Sequence, residues 1–151
     1  MKKFFLLTIV AALFASCLPD ENYYITEEHY NVKTETKKYS VTDEMWKVAV
    51  DARGDNYLYY TFDLPELTKH VFEKGVMDAY LYFIPEGMNE SVLSPLPYSD
   101  FVVQENGYKY EEHITAEFGV GFVSFIVKVD DHEVGDVLAY LQHDFIVKLI
   151  W

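Results

Sequence analysis

Tyr57-Leu58-Tyr59-Tyr60-Thr61-Phe62-Asp63-Leu64 alternates: Leu58, Tyr60, Phe62 and Leu64 fall on one side of an extended chain, and Tyr57, Tyr59, Thr61 and Asp63 on the other. Period two is the pattern of a strand with one face in a core and one face outside. Arg53-Gly54-Asp55-Asn56 just upstream carries turn chemistry. Before that turn, Trp46, Val48 and Val50 recur at the same period, which predicts a partner strand over residues 46–50.

Working outward toward the C-terminus, Pro65-Glu-Leu-Thr-Lys-His-Val-Phe-Glu-Lys-Gly75 predicts one short helix. Pro65 suits a first helical position, Leu67, Val71 and Phe72 share a face, and Gly75 is a stop signal. Residues 76–83 alternate again, with Met77, Ala79, Leu81 and Phe83 opposite Val76, Asp78, Tyr80 and Tyr82. A loop rich in Pro and Ser over 85–97 leads into a strand over 98–104, and Glu105-Asn106-Gly107 is a hairpin signal because Asn-Gly supplies positive φ. Strands follow over 108–118 and 120–130, joined near Gly119 or Gly121. Residues 134–142 have the character of a second helical turn, which Gly135 weakens. The last strand, 145–151, is apolar on both faces except at Lys148 and so predicts a central position.

Seven or eight strands with one short helix argue a mainly β fold, an antiparallel β-sandwich. The domain is expected over 39–151, long enough to bury a core. Half of all residues are hydrophobic and 17% are aromatic, far from a disordered composition. The sequence contains no internal repeat, heptad pattern or low-complexity tract.

The N-terminus has a different composition. Met1-Lys2-Lys3 precedes an apolar run from Phe4 to Ala15, then Ser16 and Cys17, the layout of a secretory signal. The run is shorter than the roughly 20 residues needed to span a bilayer. Cys17 is the single cysteine, so no intramolecular disulfide can form. Leu13-Phe14-Ala15-Ser16-Cys17 resembles the lipobox of bacterial lipoproteins. That resemblance implies a removed signal peptide over 1–16, a lipid on the Cys17 sulfur, and a lipidated N-terminus and tether over 17–38. Phe14 stands where Leu is commoner and Ser16 where Gly or Ala is, so plain secretory cleavage nearby stays open as the alternative. Within the tether, Tyr23, Tyr24, Ile25 and Tyr30 are more aromatic than a linker requires, which leaves room for a first strand. The acidic pair Asp20-Glu21 resembles the signal that sends some Bacteroidota lipoproteins to the cell surface.

Charge limits the partners. Removing Lys2 and Lys3 with the leader takes the formal charge from −13 to −15. A chain this acidic is repelled by anionic headgroups and nucleic acid, so membrane contact is expected through the acyl chains, at about 0.8 kcal/mol per buried methylene, and no nucleic-acid partner is expected.

Catalytic and metal signals are sparse. His29, His70, His113, His132 and His143 never recur at His-x-His or His-x-x-x-His spacing, so they read as scattered surface histidines and no metal site or cofactor is expected. Asp130-Asp131-His132-Glu133 with Asp136 is the densest acidic run, but it lacks the spacing of a helix–loop–helix calcium loop. No Gly-x-Ser-x-Gly is present. Carboxylate pairs of the glycosidase kind have no sequence signature among 25 acidic residues. No catalytic residue is assigned and a non-enzymatic role is expected, with a hydrolase using dispersed carboxylates as the lesser alternative. Tyr57, Tyr59, Tyr80 and Tyr82 lie opposite the expected core on two strands taken as neighbours, and aromatic rings on a sheet face can stack on sugars or anchor a protein. They are the candidate binding face, for a protein or glycan partner, with both faces of those strands being covered as the competing reading.

The stretch from Trp46 to Trp151 also resembles a group of small envelope lipoproteins and secreted domains of Bacteroidota. The resemblance is carried by Tyr57-Leu-Tyr-Tyr60, Pro65-Glu-Leu-Thr68, residues 71–75 and 76–81, Leu96-Pro-Tyr98 and the closing aliphatic strand from Phe145. These are packing and turn residues. The resemblance implies fold and an envelope location, with outer-membrane attachment, and assigns no catalytic or binding residue; the expected role is an interaction module, or else an accessory subunit of a surface assembly.

Overall fold

A computed structural model describes residues 31–103, 107, 109–130, 138 and 141–151. The leader, Cys17, Asp20-Glu21, His29, Asn106 and the acidic run beyond Asp130 lie outside the described residues. In chain order the elements are β1 (Thr34–Val41), a 3-10 turn (Asp43–Met45), β2 (Lys47–Val50), β3 (Asn56–Asp63), α1 (Lys69–Lys74) and β4 (Val76–Phe83). They continue with β5 (Val92–Pro95), β6 (Tyr98–Val103), β7 (Lys109–Gly119), β8 (Phe122–Val129) and β9 (His143–Ile150).

Every strand pair is antiparallel, and the strands form two sheets, β1-β9-β4-β5 and β2-β3-β8-β7-β6. Alternation directs one face of each sheet inward. Leu58 on β3, Ile114 on β7, and Val123, Phe125 and Val127 on β8 meet Val41 on β1, Leu81 on β4, and Phe145, Val147 and Leu149 on β9. At the centre the Phe125 and Phe145 rings, one from each sheet, stack with centroids 3.8 Å apart and planes within 7°. Burial of each such ring contributes about 1.5–3 kcal/mol. The fold is a β-sandwich, as the periods of β3, β4 and β8 predict.

The expected inward sets Leu58, Tyr60, Phe62 and Met77, Ala79, Leu81, Phe83 are the ones packed in or against the core. The partner strand over 46–50 is β2, paired with β3. The 145–151 strand is β9, central between β1 and β4. The turn between β7 and β8 is Val120-Gly121, with Gly121 at φ 85°, where a side chain would be strained.

The structure corrects four expectations. Nine strands are described, in keeping with about seven or eight expected, and the two that the sequence periods did not place, Thr34–Val41 and Val92–Pro95, are edge strands. β1 begins at Thr34, inside the expected tether over 17–38 and ahead of the expected boundary at 39. Its alternation is hidden because the inward side at this end carries Glu35 and Lys37 instead of apolar residues. Lys37 Nζ reaches Glu66 Oε1 at 2.6 Å and Glu35 Oε1 at 3.4 Å, which places charges on the inner side of an exposed edge. β5 lies within the expected 85–97 loop and ends on Pro95, a residue an edge strand tolerates.

The helix is also shorter than expected. Pro65 lies in the turn before it, and Thr68 is the N-cap, its Oγ1 accepting from the Val71 N–H at 3.3 Å. Leu67 and Val71 are buried, but Phe72 is 39% exposed, so the apolar stripe is narrower than its sequence spacing suggested. Gly75 is needed for a close approach: a Cβ there would lie 2.7 Å from both the Ile150 and Val71 carbonyl oxygens. Finally, β3 and β4 belong to different sheets, with consequences for the tyrosines.

Candidate functional site

The four tyrosines do not form one face. Tyr57 and Tyr59 lie on the outer side of the five-stranded sheet, and Tyr80 and Tyr82 on the outer side of the four-stranded sheet. The neighbour relation failed because each strand alternates correctly while the chain between them, through α1, crosses from one sheet to the other. All four rings are half-buried, and lysines cover three of them in part. Lys38 Nζ lies 4.4 Å from the Tyr82 centroid, Lys148 Nζ 5.0 Å from that of Tyr80, and Lys128 Nζ 5.6 Å from that of Tyr57. These stems remove ring area that a ligand would otherwise stack on.

On the five-stranded sheet the tyrosine side continues into polar chemistry. β8 and β7 pair so that Lys128 is opposite His113, and β7 and β6 pair so that His113 is opposite Ser99. One cross-strand row therefore runs Tyr57, Lys128, His113, Ser99. Lys128 Nζ also binds Asp51 Oδ2 at 2.8 Å. That bond, with the N–H groups of Arg53 and Asp55 donating to the same carboxylate, holds Asp51 well below the usual carboxylate range, at about 2.

Around His113 three donor atoms converge. Glu111 and His113 are two apart on β7 and so share its outer face. Asp130 directly follows β8, and its backbone N–H donates to the Glu111 carbonyl at 3.1 Å, which brings it beside them. His113 Nε2 is 3.2 Å from Asp130 Oδ2 and 3.7 Å from Glu111 Oε1, while Nδ1 on the other side of the ring is 2.6 Å from Ser99 Oγ. One ligand atom from each of Glu111, His113 and Asp130 lies within 4.8 Å of the others.

A hydroxyl, an imidazole and a carboxylate in series have the composition of a nucleophile, base and orienting acid. Here the ring nitrogens are exchanged relative to that arrangement, Nδ1 facing the hydroxyl and Nε2 the carboxylate. The second carboxylate, Glu111, has no part in such a relay and completes a one-nitrogen, two-oxygen donor set.

Histidine spacing alone missed this cluster, because its members are one histidine and two carboxylates from two strands. The readable signal was Glu111-Glu112-His113 on one strand and a two-residue turn at Val120-Gly121, which sets Glu112 opposite Val129 and the next outward step at Asp130. The reading of scattered surface histidines holds for exposed His70 and fails for His143. His143 faces the interior with its side chain 16% exposed, and its Nε2 is 2.9 Å from Glu112 Oε1, whose side chain is 6% exposed. The Trp46 ring packs edge-on against it, centroids 6.3 Å apart. Asp131, His132, Glu133 and Asp136 of the acidic run lie outside the described residues.

A separate cleft of about 430 Å³ opens between the sheets, lined by Met77, Ala79, Leu96, Pro97, Ala116 and Phe118, with Asp78 and Glu117 as its carboxylates. It takes in the end of the 85–97 segment. No family model, no curated protein and no solved structure matches the chain.

Proposed function

We propose that the chain is a lipid-anchored module of a bacterial envelope, attached through Cys17 at the outer membrane, which binds a protein or glycan partner and carries no catalysis of its own. The anchoring rests on Leu13-Phe14-Ala15-Ser16-Cys17 behind a basic and then apolar leader. Among the described residues no helix is long and apolar enough to cross a membrane, and attachment in this reading is the work of the acyl chains. The resemblance to small Bacteroidota envelope lipoproteins points the same way.

The observation that carries the binding role is the outer row of the five-stranded sheet, where Tyr57, its ring 6.2 Å from that of Tyr59, adjoins Lys128 and the row continues through His113 to Ser99. An aromatic body beside hydrogen-bonding and charged groups is the makeup of sugar-stacking and protein-anchoring surfaces. This narrows the four-tyrosine face to one pair. Screening the intact protein against a panel of envelope and host glycans tests it, with Tyr57→Ala/Tyr59→Ala compared against Tyr80→Ala/Tyr82→Ala. Loss of binding confined to the first pair supports the reading, and loss confined to the second moves the site to the other sheet. Protease shaving of intact against lysed cells, with Cys17→Ala as control, tests the anchor and its side of the membrane.

A second reading, an accessory subunit of a surface assembly, is favoured by apolar residues on both edge strands of the five-stranded sheet. Val48 and Val50 on β2 are 56% and 61% exposed, and Phe101 and Val103 on β6 are 70% and 60% exposed. An edge carrying such residues suits strand addition by a neighbour. Stoichiometric co-purification lost on Phe101→Lys would mark that role.

A further inference from the structure

We propose that Glu111, His113 and Asp130 bind a divalent transition-metal ion of the zinc class on the outer face of the five-stranded sheet. This goes beyond the binding role above and does not depend on it.

Tetrahedral zinc takes imidazole nitrogen at about 2.0–2.1 Å and carboxylate oxygen at about 2.0–2.2 Å, which sets neighbouring donors roughly 3.4 Å apart. The two separations from His113 Nε2, 3.2 Å to Asp130 and 3.7 Å to Glu111, bracket that value. Two of the three donor separations therefore stand near the edge of a coordination tetrahedron, and the third, between the two carboxylates, lies within 4.8 Å. Calcium, with six to eight oxygen ligands at about 2.3–2.6 Å, suits neither the imidazole nor the spacing.

The scaffold supplies rigidity. Glu111 and His113 flank Glu112, which points inward and is tied to His143, so the rung carrying both ligands is fixed from behind. Asp130 is held by its N–H to the Glu111 carbonyl. Ser99 orients the imidazole. Binding of the ion would select the tautomer in which Nδ1–H donates to Ser99 Oγ and the Nε2 lone pair is turned to the two carboxylates, in place of a hydrogen bond between Nε2 and Asp130. Lys128, in the same cross-strand row, is turned to Asp51. Three ligands leave the fourth position of a tetrahedral ion to water or to another donor.

The proposal is tested by titrating the full chain, purified in detergent, with Zn²⁺ against a chromophoric zinc indicator, and with Co²⁺ as a spectroscopic probe. The expected result is saturable uptake of one ion, with a tetrahedral cobalt absorption band. His113→Ala and the Glu111→Gln/Asp130→Asn double variant should each abolish it, and His70→Ala should leave it unchanged. Ser99→Ala should weaken it by about 10- to 100-fold, the usual cost of losing the partner that orients a ligand. Absence of saturable uptake overturns the proposal. So does uptake that survives both the His113→Ala and the double variant, since the ion would then sit elsewhere. The double variant retains the imidazole and changes each carboxylate to a near-isosteric amide, so it tests the site even where His113→Ala perturbs the sheet.

Discussion

The Glu112–His143 pair offers the sharpest energetic test of the sandwich interior. Both side chains point between the sheets, 6% and 16% exposed, with Nε2 and Oε1 at 2.9 Å. A buried carboxylate with a single strong partner is costly to orphan: removing one member of a buried pair typically costs about 3–5 kcal/mol. His143→Leu, which takes from Glu112 its hydrogen-bond partner among the described residues, should therefore destabilise by about that amount. Replacing both by apolar side chains of similar volume removes the orphan and is often close to neutral. The Glu112→Leu/His143→Leu double variant should accordingly recover most of what the single variant loses. Urea unfolding followed by tryptophan fluorescence measures both, and Trp46, packed against His143, reports from beside the pair. A double variant no more stable than His143→Leu would refute the reasoning, because the single loss would then come from packing volume and not from an orphaned buried carboxyl group.

Other predictions follow from the same packing. Phe125→Ala opens a cavity at the stacked centre of the core and should cost about 3–5 kcal/mol in chemical denaturation, where Tyr57→Ala on the outer face should cost far less. Gly75→Ala drives a Cβ to 2.7 Å from two backbone carbonyls and should destabilise by about 1–3 kcal/mol, despite alanine's higher helix propensity; a stabilised variant would contradict the close approach. Tyr98 is pushed up to about 12, first by burial and then by the bond its hydroxyl donates to Asp100 Oδ2 at 2.8 Å. The unfolded chain ionises this phenol near 10 and the folded one near 12, so its contribution is complete below pH 10 and disappears as pH rises toward 12. Tyr98→Phe should flatten that part of the alkaline stability curve, and an unchanged slope would remove Tyr98 as its source.

The parts of the fold that were legible are those where one face is apolar and the other polar. β3, β4 and β8 state their orientation residue by residue, and β9 states its central place through an aliphatic run interrupted by Lys148 alone. The two missed strands lie at edges. Thr34–Val41 reads as tether because Glu35 and Lys37 occupy inward positions that only become meaningful once Glu66, brought in by the turn after β3, is opposite them. Sheet membership was illegible for a related reason. Nothing in the alternation of β3 and β4 records whether the helix between them returns to the same sheet or crosses to the other, and that single choice separated Tyr57 and Tyr59 from Tyr80 and Tyr82.

The Glu111–His113–Asp130 cluster becomes readable only when the strand register is carried one step further than the alternation. A strand places its functional groups at every second position, so a ligand set on a sheet appears as x, x+2 on one strand and a register partner on the next, never as the i, i+4 spacing of a helix. Glu111 and His113 meet the first condition in sequence, and the Val120-Gly121 turn supplies the second by fixing Glu112 against Val129. Glu112, between the two ligands, serves the opposite side of the same strand, and its bond to His143 couples the rigidity of the outer site to the interior. Loss of that inner bond should therefore weaken ion capture at the outer face without touching a ligand. His143→Leu, assayed by the same indicator titration under conditions where the protein remains folded, is expected to retain one site of lowered affinity. Unchanged affinity would mean that the β7–β8 ladder alone holds the ligands in place.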